Sequence, residues 1–215
     1  MSNVNFDLKV KRLAFKFCKG VCLGFNLEPI FLCVGNSNLV ADLFGPMCGE
    51  MLKNSNKNLK VFGTLNSNVT SNNVNQVYKL IKQKYPLNPV VIIDSAVGEV
   101  EELGRVKFCF GGCLPAHKTN TTIMGDFSFL GVVNTIGIND FMLLKSVKFN
   151  SVCKQANVCV SAVLEGLKLI EIYKNYSNNF GAWNGLIIRL FKKYFTSIFP
   201  TKFLNFRPFI IVNIL

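Results

Sequence analysis

Apolar residues come in short blocks separated by polar turns, and two spacings recur. Pro29-Ile30-Phe31-Leu32-Cys33-Val34-Gly35 is an unbroken apolar run. So is Pro89-Val90-Val91-Ile92-Ile93, which leads into Asp94-Ser95. Runs of this length, rich in β-branched residues and bounded by Pro and Gly, read as strands buried on both faces, here over 29–35 and 89–95. Leu59-Lys60-Val61-Phe62-Gly63-Thr64-Leu65 predicts another strand. Between these runs the spacing changes to three and four. Leu43, Met47 and Met51 predict a helix over 42–53. Val74, Val77, Tyr78 and Ile81 predict a second, capped by Ser71 or Asn72 and ending at Tyr85 before Pro86. Val152, Ala156, Cys159, Val163, Leu167 and Ile170 predict the longest helix, from Ser151 to Tyr173.

The remaining segments are less regular. Arg105–Phe110 alternates like a half-exposed strand, 111–120 reads as loop, 126–133 is mixed, and 137–145 resembles a short helix. Strands alternating with helices imply βαβ units. The expected fold is therefore α/β, a three-layer α/β/α sandwich around a mostly parallel sheet. No internal repeat is evident.

Composition adds a boundary to this picture. The chain has 215 residues, 50% of them hydrophobic, enough for one full core. Mean hydropathy is +0.32, yet no run approaches the roughly 18 apolar residues of a membrane span. Lys16 and Lys19 interrupt any apolar stretch behind the basic start, so a cleaved secretion signal is not expected. The net charge of +12 lies at the ends. Residues 1–24 carry five basic residues against Asp7, and residues 173–215 carry six against none, whereas 25–172 is nearly balanced. A near-neutral middle argues against specific nucleic-acid binding. The expected organisation is a basic segment over 1–24, the α/β domain over 25–173, and a basic aromatic tail over 174–215, with 175–179 as linker. Over 186–199 the basic and hydroxyl residues fall on one helical face. That suits peripheral membrane contact through residues 186–215; a helix packed on the body is the alternative.

Eight cysteines are present. The closest pairs, Cys18/Cys22 and Cys109/Cys113, lack a second metal-type cluster, so reduced intracellular thiols are the simpler reading than zinc. No cofactor is expected, and the sequence leaves a metal open.

Candidate chemistry rests on carboxylates. Asp42 and Asp94 each follow a strand-like run, and open α/β sheets hold their sites beyond the carboxyl ends of strands. Paired there, one acid can donate a proton while the other accepts one. The structural alternatives are a helix N-cap for Asp42 and capping of nearby amides for Asp94. Asp126, after Gly125, is a third candidate, with an Asx turn as its alternative. His117, the single histidine, sits in a polar loop and is a candidate base or ligand.

Several motifs carry a resemblance. They are Gly35-Asn36 through Asp42-Leu43-Phe44-Gly45-Pro46, then Val61-Phe62-Gly63-Thr64-Leu65, then Val91-Ile92-Ile93-Asp94-Ser95-Ala96-Val97-Gly98. Leu114-Pro115, Gly125-Asp126-Phe127-Ser128-Phe129, Gly131-Val132-Val133-Asn134 and Phe141-Met142 follow in order. Together, over about residues 28–172, they resemble the YyaC family of sporulation proteins. That family is similar to the spore germination protease and, more distantly, to hydrogenase maturation endopeptidases. The resemblance implies the three-layer fold, a cytoplasmic place in the sporulating cell, a peptide or protein substrate, and catalytic roles for Asp42 and Asp94. In the maturation enzymes the equivalent acids, with a histidine, recognise a metal of the substrate. This chain departs in the loop Gly35–Asp42: the family usually reads Gly-Thr-Asp-Arg-Ser-Thr-Gly-Asp, and here Ser37 and Asn38 replace an acid and an arginine. A catalytically inactive binding or assembly protein on the same fold is therefore the alternative function.

Overall fold

A computed structural model describes residues 2–115, 122–135 and 147–179. Their elements in chain order are α1 (Ser2–Gly24), β1 (Ile30–Cys33), α2 (Phe44–Ser55), β2 (Val61–Phe62), α3 (Val74–Lys84), β3 (Val90–Gly98), β4 (Val106–Phe110), β5 (Phe127–Thr135) and α4 (Phe149–Asn179). The sheet order is β2-β1-β3-β5-β4. All neighbours pair in parallel except β4, which runs antiparallel to β5 at the edge.

Parity along the strands divides the core. Phe31, Cys33, Val91, Ile93, Phe127 and Phe129 face one way, onto α1, α2 and α4. Ile30, Leu32, Val90, Ile92, Ala96 and Leu130 face the other, onto α3 and the Cys113/Met124 bridge. The result is the expected α/β/α sandwich. The four residues of β1 are completely enclosed, as are Val90 to Asp94 of β3, which explains why these strands show no alternation.

The aromatic side of the sheet is filled by helix α1. Its residues Val10, Leu13, Ala14, Phe17, Cys18 and Val21 recur at helical spacing and are all buried. Phe17 meets the Phe129 ring edge-on at 5.7 Å and Phe108 at 6.1 Å, geometries that add to area burial. Residues 1–24 thus contribute a helix to the core, whereas their charge marked them as a basic segment. The lysines occupy the opposite stripe. Gln155 on α4 donates to the carbonyls of Val132 (2.8 Å) and Arg105 (3.1 Å), pinning that helix across β5 and the start of β4.

Other expectations are refined. Only Val61–Phe62 of the 59–65 run pairs as strand, because Gly63 turns away at φ 92°. Helix α3 starts at Val74, after a turn in which Asn73 accepts from the Thr70 N–H. The mixed segment 126–133 becomes the long strand β5. Helix α4 continues through Asn179, across the stretch read as a linker. The short helix expected over 137–145, His117, Phe141-Met142 and the tail helix over 186–199 lie outside the described residues. No helix among the described residues is long and apolar enough to cross a membrane.

Candidate functional site

The chain passes from β1 to β2 on one side and then crosses β1 to start β3 on the other. This makes the β1/β3 boundary the topological switch point, where such sheets form a crevice. Strand β1 stops at Cys33, which pairs with Ile93, while β3 runs on to Gly98. Asp94 is therefore one residue beyond its neighbour's end, yet still inside its own strand, opposite Leu130 of β5. The sequence placed it at a strand exit; the exit is that of β1.

The chain leaving β1 folds back over this point. Gly35 has φ 143°, a region that favours glycine, and a side chain there would strike the Asp42 backbone carbonyl. The Asp42 carboxylate accepts the Asn36 N–H at 2.8 Å, and the Asp42 N–H donates to the Leu39 carbonyl at 2.9 Å, closing a compact loop. Ser37 and Asn68 hydrogen-bond at 2.9 Å and brace the loop against the segment after β2. Gly45 brings α2 down onto the strand ends. A Cβ there would overlap the Val34 carbonyl oxygen and lie 2.8 Å from that of Ile93. Asp42 does not cap α2: Leu43 holds the N-cap position, and no side chain caps it.

The electrostatics of the two acids differ from those of ordinary aspartates. Asp94 is completely enclosed. Among the described residues, neither of its oxygens has a hydrogen-bond partner. Burial, and then the nearby charge of Asp42, push its pKa well above the usual carboxylate range. The Ser95 N–H opposes the rise without completing a hydrogen bond. Asp42 is slightly open to solvent, and burial raises it to about 7, against the pull of the Asn36 N–H. A carboxyl that burial keeps protonated and a carboxylate raised to near neutrality therefore lie close enough for the charge of one to act on the other.

Asp126 is not brought to this pair. It lies at the other end of the sheet, before β5. Its carboxylate accepts the Val90 N–H at 2.8 Å, its own N–H donates to the Val90 carbonyl at 2.7 Å, and its carbonyl accepts the Gly111 N–H at 2.9 Å. Four residue steps along the chain separate it from Leu130, opposite Asp94, or about 13 Å at the usual rise. Its bonds tie the starts of β3 and β5 together.

The sequence reading missed two neighbours of Asp94. Cys113 is buried on the same face, and its thiol is pushed up by burial and then by the Asp94 charge. Ser128, also enclosed, lies opposite Ile92. The signal was available for Ser128, a lone hydroxyl within an apolar strand run, whereas Cys113 was marked only by its spacing from Cys109. Among the described residues, no three His, Cys, Asp or Glu side chains gather in a way that could hold a metal ion.

Comparison with known proteins agrees with the resemblance of the motifs. The chain is 28% identical over 149 residues to the "Uncharacterized protein YyaC" of Bacillus subtilis (strain 168), covering 66% of this chain and 69% of that protein. Among solved structures it is similar to the [NiFe] hydrogenase maturation protease HybD from Thermococcus kodakarensis, with 15% identity and a TM-score of 0.35, covering 70% of this chain and 99% of that one. That superposition is too loose to carry an activity across. The model of a family described as a protein of unknown function, DUF1256, matches residues 4–162, from α1 into the first half of α4, and the chain belongs to that family.

Proposed function

We propose that this protein is a germination-protease-like peptide-bond hydrolase of the sporulating cell, acting in the cytoplasm on a peptide or protein substrate through Asp42 and Asp94. The observation that carries the reading is the enclosed, unbonded Asp94 carboxyl beside an Asp42 that titrates near neutrality. An unbonded acid inside a strand costs stability, and a pair whose environments separate donor from acceptor suits acid–base chemistry. Asp42, once ionised, takes a proton from water as the water oxygen attacks the carbonyl carbon. Asp94 delivers its proton to the leaving amine nitrogen. The rate should rise through about pH 7 as Asp42 ionises and fall again where Asp94 loses its proton, giving a bell-shaped profile.

Purified full-length chain on unstructured peptides and small spore proteins, beside Asp42→Asn and Asp94→Asn, tests this. Loss of cleavage in both variants, with folding intact by circular dichroism, is the expected result. Unchanged cleavage in Asp94→Asn would overturn the assignment.

The complete enclosure of Asp94 favours a second reading, a catalytically inactive binding or assembly protein that keeps the acids as a relic. Restored sporulation by the Asp42→Asn/Asp94→Asn double variant in a knockout strain would select it. Membrane-surface contact through residues 186–215 is a separate proposal, read from sequence. It predicts salt-sensitive liposome binding that deletion of those residues abolishes.

A further inference from the structure

Away from the crevice, two thiols face each other near the end of α1. The Sγ atoms of Cys18 and Cys22, one helical turn apart, lie 3.8 Å from each other. The two differ in access: Cys18 is buried, at 3% exposure, whereas Cys22 is partly open. Helix α4 passes beside them. The hydrogen bond with Cys18 is the main influence favouring the Cys22 thiolate, against burial, and the Lys174 ammonium of that helix, anchored on the Asn26 carbonyl at 2.8 Å, adds its charge. A partly open sulfur beside a cation, with a second sulfur behind it, is the arrangement of a reactive and a resolving thiol. The other core thiols offer a contrast. Cys33 and Cys48 are sealed among apolar side chains, and burial holds both in the inert protonated form.

We propose that Cys18 and Cys22 are an oxidation site, with Cys22 attacking a peroxide-class oxidant and Cys18 closing the disulfide. In the first step the Cys22 thiolate attacks one peroxide oxygen and the O–O bond breaks. The sulfur becomes a sulfenic acid, and the second oxygen leaves as hydroxide and takes up a proton. In the second step the Cys18 sulfur displaces the hydroxyl from Cys22, which departs as water with the Cys18 proton. The thiols lose two electrons and one hydrogen peroxide becomes two waters. The site is independent of the proposed hydrolysis.

The disulfide has a structural consequence. Neighbouring side chains one turn apart have Cβ atoms about 5–6 Å from each other, whereas a disulfide needs about 3.5–4.5 Å. The last turn must tighten, and it can, because α1 ends at Gly24. That turn is closed by the Phe25 N–H on the Val21 carbonyl at 2.9 Å. It also holds the Phe25 ring edge-on against Phe127 at 5.7 Å. Oxidation would loosen this contact and leave the two acids chemically unchanged.

The test uses purified full chain and hydrogen peroxide below stoichiometry, followed by maleimide blocking and mass spectrometry. Cys153, partly exposed on α4, is the internal reference. Cys22 should be consumed at least about tenfold faster than Cys153. Trypsin cleaves after Lys19, so the disulfide should join peptide 17–19 to peptide 20–53. In Cys18→Ser, the reaction should stop at a sulfenic acid trapped by dimedone. Equal consumption of Cys22 and Cys153, or no joined peptides in the unmodified chain, would overturn the proposal without bearing on Asp42 and Asp94. The rate comparison needs no variant to fold.

Discussion

Asp126 stands before the start of β5 and Asp94 within β3, just past the end of β1, and they are handled in opposite ways. Asp126 has a partner for its carboxylate, its N–H and its carbonyl. Asp94 is more deeply buried and, among the described residues, has no partner for either carboxylate oxygen. One end of the sheet is stitched; the other carries an unbalanced group. An acid tied by such bonds is explained by folding, whereas a fully buried one left open has a cost that folding does not explain. The same residue type, read by its bonding, thus separates structure from candidate chemistry.

The sharpest way to break this comparison is to disturb the open end through its backbone. Gly45→Ala places a methyl group against the Val34 carbonyl. It should cost about 3 kcal/mol or more, since overpacking against backbone relaxes poorly. A large fall in the thermal midpoint would show it, and an unchanged midpoint would mean that α2 does not press on the strand ends as described.

Next is the acid itself. A carboxyl with a raised folded pKa is stable in the fold while protonated, and it weakens the fold as pH climbs from the unfolded pKa, about 4, through the folded one. The native state binds the extra proton across that window, so stability falls with pH there. For Asp42 the window ends at about 7; for Asp94 it reaches higher. Asp94→Asn removes the ionisation cost. It should raise the midpoint by several degrees at pH 8 and by little at pH 4, while removing any cleavage. Thermal melts at the two pH values decide this, and a destabilised variant at pH 8 would contradict the unbonded, protonated acid.

Asp126→Ala should act in the opposite sense. Losing the acceptor for the Val90 N–H should cost about 1–3 kcal/mol, and cleavage should survive where the protein remains folded. Equal loss of cleavage in Asp126→Ala and Asp94→Asn would erase the distinction between the two ends. The smallest effect belongs to Ser37→Ala, which removes the brace to Asn68. About 1 kcal/mol is expected, read from denaturant midpoints, with the Asp42 titration otherwise kept.

The strands were legible where burial was total. Four enclosed residues in β1 and the run Val90–Ile93 can only be apolar, so composition reports them directly. The switch point was visible only as two acids after two such runs. What the sequence could not show is that β3 outruns β1, because strand length is set by pairing, and β5 supplies the partners for Ser95 to Gly98. Helix α1 was obscured for a different reason. Lys9, Lys11, Arg12, Lys16 and Lys19 dominate its charge and distract from the stripe formed by Val10, Leu13, Ala14, Phe17 and Val21. Asp126 was grouped with the acids by its motif, and only its hydrogen bonds place it in the scaffold.

The packing of α1 against the sheet beside α4 also sets a timetable. Helix α1 is made before the strands it covers, and it shares its seam with the last described helix, roughly 125 residues downstream. At about 5–20 residues per second, on the order of ten seconds pass before that seam can close. Throughout that interval the stripe of Val10, Phe17 and Val21 has no native surface to meet. The five cations on the other side of α1 then serve synthesis as much as the finished protein, keeping a waiting amphipathic helix in solution until its partners arrive.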